Sequence, residues 1–231
     1  MGRAWVWMGV AAALICAASA QGQPQATPSP VWTPSAKAPP GRLTGGLEAQ
    51  RHDFFIGLAR TASSCPGAPL SEKCHPGGID LVLFGATPAE MWWWPDRGMP
   101  VWEQAFASRK AVNFGAQGTC SQSLLWRMQN GELDGYQAKL VVLQISEPRP
   151  PACVDYAPVI AEIRARQPQA KILVFSTRLP QGTDSGPGPE AGLADNQTVF
   201  YARLPGALTL DRAGYQAWDQ ALEPWLKRFL N

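Results

Sequence analysis

Residues 79–87, IDLVLFGAT, constrain this chain more than any other stretch. Five of the six residues from Ile79 to Phe84 are apolar, and they do not alternate with polar ones. Such a run, rich in Leu, Ile and Val, reads as a strand buried on both faces. Gly77-Gly78 precedes it, Gly85 stops it, and Pro88 opens a helix, because proline suits the first helical turn. Strand, sharp turn and helix make the first unit of a doubly wound α/β sheet. In such sheets ligands sit outside the carboxyl ends of the strands. A site is therefore expected at Gly85-Ala86-Thr87.

The rest of the chain continues the alternation. A helix over 47–62 carries Leu47, Phe54, Phe55, Leu58 and Ala62 near one face. Residues 63–78 read as a loop, and short helices follow at 88–94 and 100–108. Further strands are expected at 111–114, 139–145, 171–175 and 198–201, with helices at 121–130 and 156–166 and a Gly/Pro-rich loop at 181–196. Asp211 has the chemistry of an N-cap. The helix after it has a stripe of Tyr215, Trp218, Leu222, Trp225, Leu226 and Phe229. This pattern predicts an α/β fold with a parallel sheet of about five strands between two helical layers.

The amino-terminal end reads differently. Arg3 and the apolar run Trp5–Ala18 end in Ala18-Ser19-Ala20, which matches a signal peptide over 1–20. The alternative is an uncleaved anchor, although the run is short for a span of about 20 residues. Residues 21–46 hold six prolines and no hydrophobic period, and read as an extended linker before a domain at 47–231. Ile15 before Cys16 argues against lipidation. Loss of the leader leaves Cys65, Cys74, Cys120 and Cys153. An even count in an exported chain points to disulfides, with four free thiols as the alternative. The spacing lacks the Cys-x-x-Cys pairs of a zinc site. A net charge of +2 implies no nucleic-acid partner. No cofactor or metal is expected, and membrane contact is expected only through an uncleaved leader.

RHDFFI at 51–56, IDLVLFG, AVNFGAQG at 111–118, LLWRMQNGELDG at 124–135, LVVLQIS at 140–146, RQPQAKILV at 166–174 and GYQAWDQALEPWL at 214–226 together resemble the SGNH or GDSL hydrolases. The similar branch is that of the platelet-activating factor acetylhydrolase catalytic subunits. The resemblance covers residue 47 to the carboxyl terminus. It implies a flavodoxin-like three-layer α/β/α fold and a serine acyl-ester hydrolase with a His base and an Asp that orients it.

The motif positions depart from that chemistry. Gly85, Ala86 and Thr87 stand where the family has Gly-Asp-Ser. Gly118 matches the glycine whose amide lines the oxyanion hole. Glu147 falls at the asparagine donor, where an ionised carboxylate would repel the developing charge. Thr209 falls at the histidine and Gly206 at the aspartate, counting back from Gly214-Tyr215. His52 in the first helix and His75 before the first strand are the only histidines, and neither is expected within the roughly 3 Å a base needs. Losing one triad member typically costs about four to six orders of magnitude in rate.

Other roles for these residues are weaker. Thr87 reads as a hydroxyl that caps the next helix. Glu147 with Asp96 or Asp211 would make a carboxylate pair for glycoside chemistry, against the ordinary reading as rim carboxylates. Trp92, Trp93 and Trp94, with Ala86, are candidates for the cleft wall, where they would stack sugar rings or apolar groups. Alternatively they divide between core and surface.

The family's strand order places the second and third strands on either side of the first. Cys120 and Cys153 follow these two strands, so the expected bridges are Cys120–Cys153, over the ancestral cleft mouth, and Cys65–Cys74. The resulting expectation is an exported SGNH-fold protein without hydrolase chemistry that binds a small acyl or carbohydrate ligand. The alternatives are a working esterase with a rearranged site and a structural protein of the cell envelope.

Overall fold

The computed structural model describes residues 46–64, 78–106, 108–147, 153, 155–182 and 186–231. The leader, nearly all of the linker, Cys65, Cys74 and His75 lie outside these residues.

Five parallel strands form one sheet: β1 Leu81–Gly85, β2 Ala111–Gly115, β3 Leu140–Glu147, β4 Lys171–Arg178 and β5 Val199–Ala207. Their order, β2-β1-β3-β4-β5, is that of the flavodoxin-like sheet. The helices are α1 Gly46–Ser64, α2 Thr87–Glu90, α3 Met99–Ala105, α4 Ser121–Arg127, α5 Ala157–Arg166 and α6 Arg212–Leu230.

Side chains on successive strand residues point to opposite faces, and this splits the interior into two cores. Val82, Phe84, Phe114, Val141, Leu143 and Val174 meet Phe55 of α1, Leu124 of α4 and Ile163 of α5. Leu81, Leu83, Val142, Leu173 and Phe175 meet Trp102 of α3 and Trp218 of α6. The chain is an α/β/α sandwich.

Several boundaries differ from expectation. β5 runs on to Ala207, well past Tyr201. Its second half is half-exposed at the sheet edge, and its pairing is irregular between Ser176 and Arg178. An edge segment tolerates Pro205 and Gly206, and leaves no hydrophobic signal. The helix at 121–130 ends at Arg127 and passes into a π turn, Met128–Glu132, kinked at Asn130 and Gly131. A 3₁₀ turn, Pro189–Leu193, interrupts the expected loop. α6 buries Tyr215, Trp218, Leu222 and Leu226, with Trp225 and Phe229 at the margin of the same core.

The first core contains a buried ionic group. Arg127 and Glu132 have no solvent-exposed side-chain surface. Arg127 Nε and Nη2 each donate to a Glu132 carboxylate oxygen at 2.8 Å. Nη2 also reaches the Phe114 carbonyl at 2.7 Å, and Nη1 the Thr119 hydroxyl at 3.0 Å. His52 Nδ1 lies 2.8 Å from Glu132 Oε1, with its ring edge-on to Trp126. The Tyr136 hydroxyl donates to the Glu132 carbonyl. One guanidinium thus joins α4, the end of β2 and, through Glu132, α1.

Removing one partner of a buried ion pair strands the other charge. Glu132→Gln is expected to lower unfolding free energy by about 3–5 kcal/mol in urea titration. Coincident unfolding curves for variant and parent would show that the pair does not hold the fold.

Candidate functional site

The site region begins where β1 turns into α2. A Cβ on Gly85 would lie 2.5 Å from Gln144 Oε1 and 2.7 Å from the Ala89 Cβ, and one on Gly115 would lie 2.4 Å from the Ala89 carbonyl carbon. Glycine at both positions lets α2 settle against β1 and β2. Asn113 secures it: Nδ2 donates to the Ala89 carbonyl and Oδ1 accepts from the Gly115 amide, both at 2.8 Å.

Ala86 is the N-cap of α2 and makes no side-chain cap, so Thr87 is already inside the helix. Its hydroxyl therefore does not cap the helix as the sequence suggests. Among the described residues no side chain hydrogen-bonds that hydroxyl. His52, the one histidine among them, is buried beside Trp126 with Nδ1 on Glu132.

Gln144 of β3 occupies the floor of this region. Its Oε1 accepts from the Ala86 amide at 3.1 Å. Its Nε2 donates to the Ser146 hydroxyl at 2.8 Å and the Thr177 hydroxyl at 2.7 Å. The sequence reading missed this residue, although one polar side chain in the apolar run LVVLQIS is a signal that something must satisfy it. The backbone donor next to Thr87 is consequently taken.

The loop after β2 is held on both sides of Gly118. Glu90, buried, accepts from Arg51 Nη2 and from the Gln117 amide, both at 2.7 Å, and Arg127 holds Thr119. Gly118 has φ +82°, and its amide makes no hydrogen bond to a described residue.

The turn before α6 forms the other wall. The Thr209 hydroxyl donates to Asp211 Oδ1 at 2.8 Å, and the Gly214 amide donates to the same oxygen at 2.9 Å. The Gly214 amide, then the Thr209 hydroxyl, holds the Asp211 carboxyl below its usual range. A Cβ on Gly214 would lie 1.9 Å from the Thr209 carbonyl oxygen, so the turn requires glycine there. The buried Tyr215 hydroxyl donates to the Pro88 carbonyl at 2.8 Å, and burial pushes its pKa up. Arg97 Nη1 donates to the Leu210 carbonyl. α6 is therefore tied to α2, and the turn before α6 to the turn before α3.

No family model matches the chain. Among curated proteins it is 30% identical over 121 residues to platelet-activating factor acetylhydrolase IB subunit alpha2 of Bos taurus and of Homo sapiens, covering 49% of this chain and 52% of each subunit. It is 30% identical over 104 residues to subunit alpha1 of Bos taurus, covering 43% of this chain and 44% of that one. The chain thus spans about half the length of these relatives at most. It is related to the SGNH or GDSL hydrolases. A solved structure of a lipolytic G-D-S-L family member from Veillonella parvula DSM 2008 aligns with a TM-score of 0.49 at 10% identity, over 65% of this chain and all of that one.

Thr87 and the Gly118 loop stand beyond the carboxyl ends of β1 and β2. Glu147 closes β3 with its backbone opposite Arg178, and its carboxylate lies outside the described atoms. Gly206 lies exposed within β5. Trp92 does not line a cleft, and this corrects the sequence reading. It is 1% exposed in the second core, with its ring 4.6 Å from Tyr215 and 5.2 Å from Trp218. Trp93 is half-buried against the first core, and only Trp94 is exposed. A 3₁₀ turn of about three residues fans successive side chains in three directions. The proposed carboxylate pairing also finds no support: Asp96 is paired with Arg97, and Asp211 caps α6. Among the described residues no cluster of His, Cys, Asp or Glu is placed to hold a metal.

Cys120 and Cys153 form a disulfide with Cα atoms 4.9 Å apart. It links the segments that leave β2 and β3, the neighbours of β1 on either side. Non-reducing peptide mapping is expected to recover a Cys120–Cys153 peptide, and reduction to lower stability by about 2–4 kcal/mol. Recovery of either cysteine joined to Cys65 or Cys74 would overturn the assignment.

The Asp211 cap generates a pH prediction. A depressed folded-state pKa contributes stability above the unfolded carboxylate value of about 3.9, and that stability disappears as pH falls through the folded value. Asp211→Asn keeps an acceptor oxygen and loses the charge. Its stability is expected to fall less steeply than the parent's as pH drops below about 4. Parallel stability–pH curves would refute this.

Proposed function

We propose that this is an exported SGNH-fold protein that has lost ester hydrolysis and acts by binding in the ancestral cleft. The observation that carries this reading is the Thr209–Asp211 hydrogen bond. At the position where the resemblance puts the imidazole base stands a hydroxyl, and it donates to a helix-capping carboxylate. A base must accept the nucleophile's proton, and Thr209 has no capacity for that. Glu147 at the position of the asparagine donor supports the same reading, because an ionised carboxylate there would repel a developing oxyanion.

Export is supported by the leader pattern and the Cys120–Cys153 bridge, since disulfides persist in oxidising compartments. The ligand class we propose is a small acyl compound or carbohydrate. The curated relatives are named for acetyl-ester hydrolysis, so a ligand of that size would fit a cleft of common descent.

The test is turnover of short-chain nitrophenyl esters beside an intact SGNH hydrolase, with fluorophosphonate labelling in parallel. The expected result is no labelling and no turnover, and the same for Thr87→Ser, because serine without a base remains unactivated. Turnover within about tenfold of the intact enzyme, or activity gained by Thr87→Ser alone, would refute the proposal.

A further inference from the structure

A concave region lies between α3 and α6. It has a volume of about 400 Å³ and is lined by Val101, Gln104 and Ala105 from α3 and by Gln216, Asp219 and Gln220 from α6. On each helix these residues have the i, i+3, i+4 spacing that puts side chains on one face. Asp219 stands eight residues into the helix from Asp211, about 12 Å along the axis.

Its three glutamines are exposed and free to engage a ligand, and one of its acceptors is buried. Gln104, Gln216 and Gln220 make no side-chain hydrogen bond to any described residue. Asp219 Oδ1 is buried without a partner, and so is Arg109 Nη1. Glu223, one turn on, is already engaged by Arg109 at 2.8 Å and Lys227 at 3.5 Å. Asp219 feels the charge of Arg109 but makes no ion pair with it. Burial, then the charge of Glu223, pushes its carboxyl up. Buried polar atoms ordinarily find partners, so the open Asp219 acceptor in the lining of this cavity calls for a group that donates to it.

We propose that this groove is a binding site for a neutral polyhydroxylated ligand, of the size of a sugar ring. Each carboxamide offers a donor and an acceptor, the carboxylate accepts, and a hydroxyl can answer all of them. Val101 and Ala105 supply a small apolar floor for the C–H face of a ring. The volume falls within the ordinary range of small-molecule sites, about 300–1,000 Å³. Anions are opposed by Asp219 and Glu223. A cation is disfavoured because Arg109 and Lys227 flank the same carboxylates. The site is independent of the ancestral cleft, so the outcome of the esterase assay does not bear on it.

The test is amide NMR of the full chain titrated with glucose and N-acetylglucosamine, with glucosamine and gluconate as charged counterparts. Saturable shifts of the Gln104, Gln216 and Gln220 side-chain amides are expected with a neutral sugar. The double variant Gln216→Ala/Gln220→Ala is expected to weaken that binding at least about tenfold, which is about 1.4 kcal/mol, with an unchanged melting temperature. Should it fail to fold, the near-isosteric Asp219→Asn carries the same expectation for affinity. No saturable shift with either neutral sugar, binding of glucosamine or gluconate alone, or unchanged affinity in the folded variant would each overturn the proposal.

Discussion

A guanidinium sealed from water must be paired, and the rest of this fold is arranged around one that is. Arg127 sits in the first core with both carboxylate oxygens of Glu132 on its fork. The bidentate geometry is the strong form of the contact. The pair does not hold by Coulomb attraction alone, because desolvating two charges costs several kcal/mol per ion. What makes the arrangement tolerable is that the remaining donors are also used, on the Phe114 carbonyl and the Thr119 hydroxyl. Those contacts fix the end of β2 and the loop carrying Gly118. Through Glu132 the same network reaches His52 and so seats α1. The geometry at one mouth of the sheet thus depends on a charge buried below it.

The cleft shows the opposite economy. In a serine hydrolase the groups at the strand ends stand ready for a substrate. Here they are spent on one another. Gln144 takes the Ala86 amide, Asp211 takes the Thr209 hydroxyl, and Tyr215 takes the Pro88 carbonyl. The two contacts that reach into the interior, those of Gln144 and Tyr215, are each worth only about 0.5–1.5 kcal/mol net. Gln144 ties the start of α2 to β3 and Tyr215 ties α2 to α6, which makes one rim. A rim of this kind can present a shape to a ligand without presenting a reactive atom.

Much of this was legible in the chain. IDLVLFG, LVVLQIS and KILVF read as strands because both their faces are buried and no alternation dilutes the signal. α6 was legible for the complementary reason: one face is apolar and its period is helical. β5 was not, because its second half lies exposed at an edge and pairs through backbone groups that any residue carries. Arg127 and Glu132 sit in a segment that carries the family resemblance, yet nothing in WRMQNGELDG says that its charges are buried. Burial arises from His52 and Phe114, far away in sequence. Trp92 shows the same limit: three adjacent tryptophans fit a cleft wall or a division between core and surface equally, and a single 3₁₀ turn sends one of them into the core.

The separation between scaffold and site explains how such a chain keeps its fold while its motifs change. The two cores are built from strand interiors and helix faces, and none of Ala86, Thr87, Gly206 or Thr209 belongs to either. Substituting them therefore removes chemistry at little cost to packing. The reverse path is harder. An imidazole at Thr209 would remove the hydroxyl now on Asp211 and set a larger side chain against a turn already tight enough to require Gly214. Freeing the Ala86 amide would require moving Gln144, whose own amide is bonded to Ser146 and Thr177 in the interior. Displacing Gln144 would leave buried polar groups unsatisfied, at about 1–3 kcal/mol apiece. A net stability of about 5–15 kcal/mol absorbs only a few of these. On the proposed reading, the hydrogen bonds now found at these positions would oppose a return to ester hydrolysis.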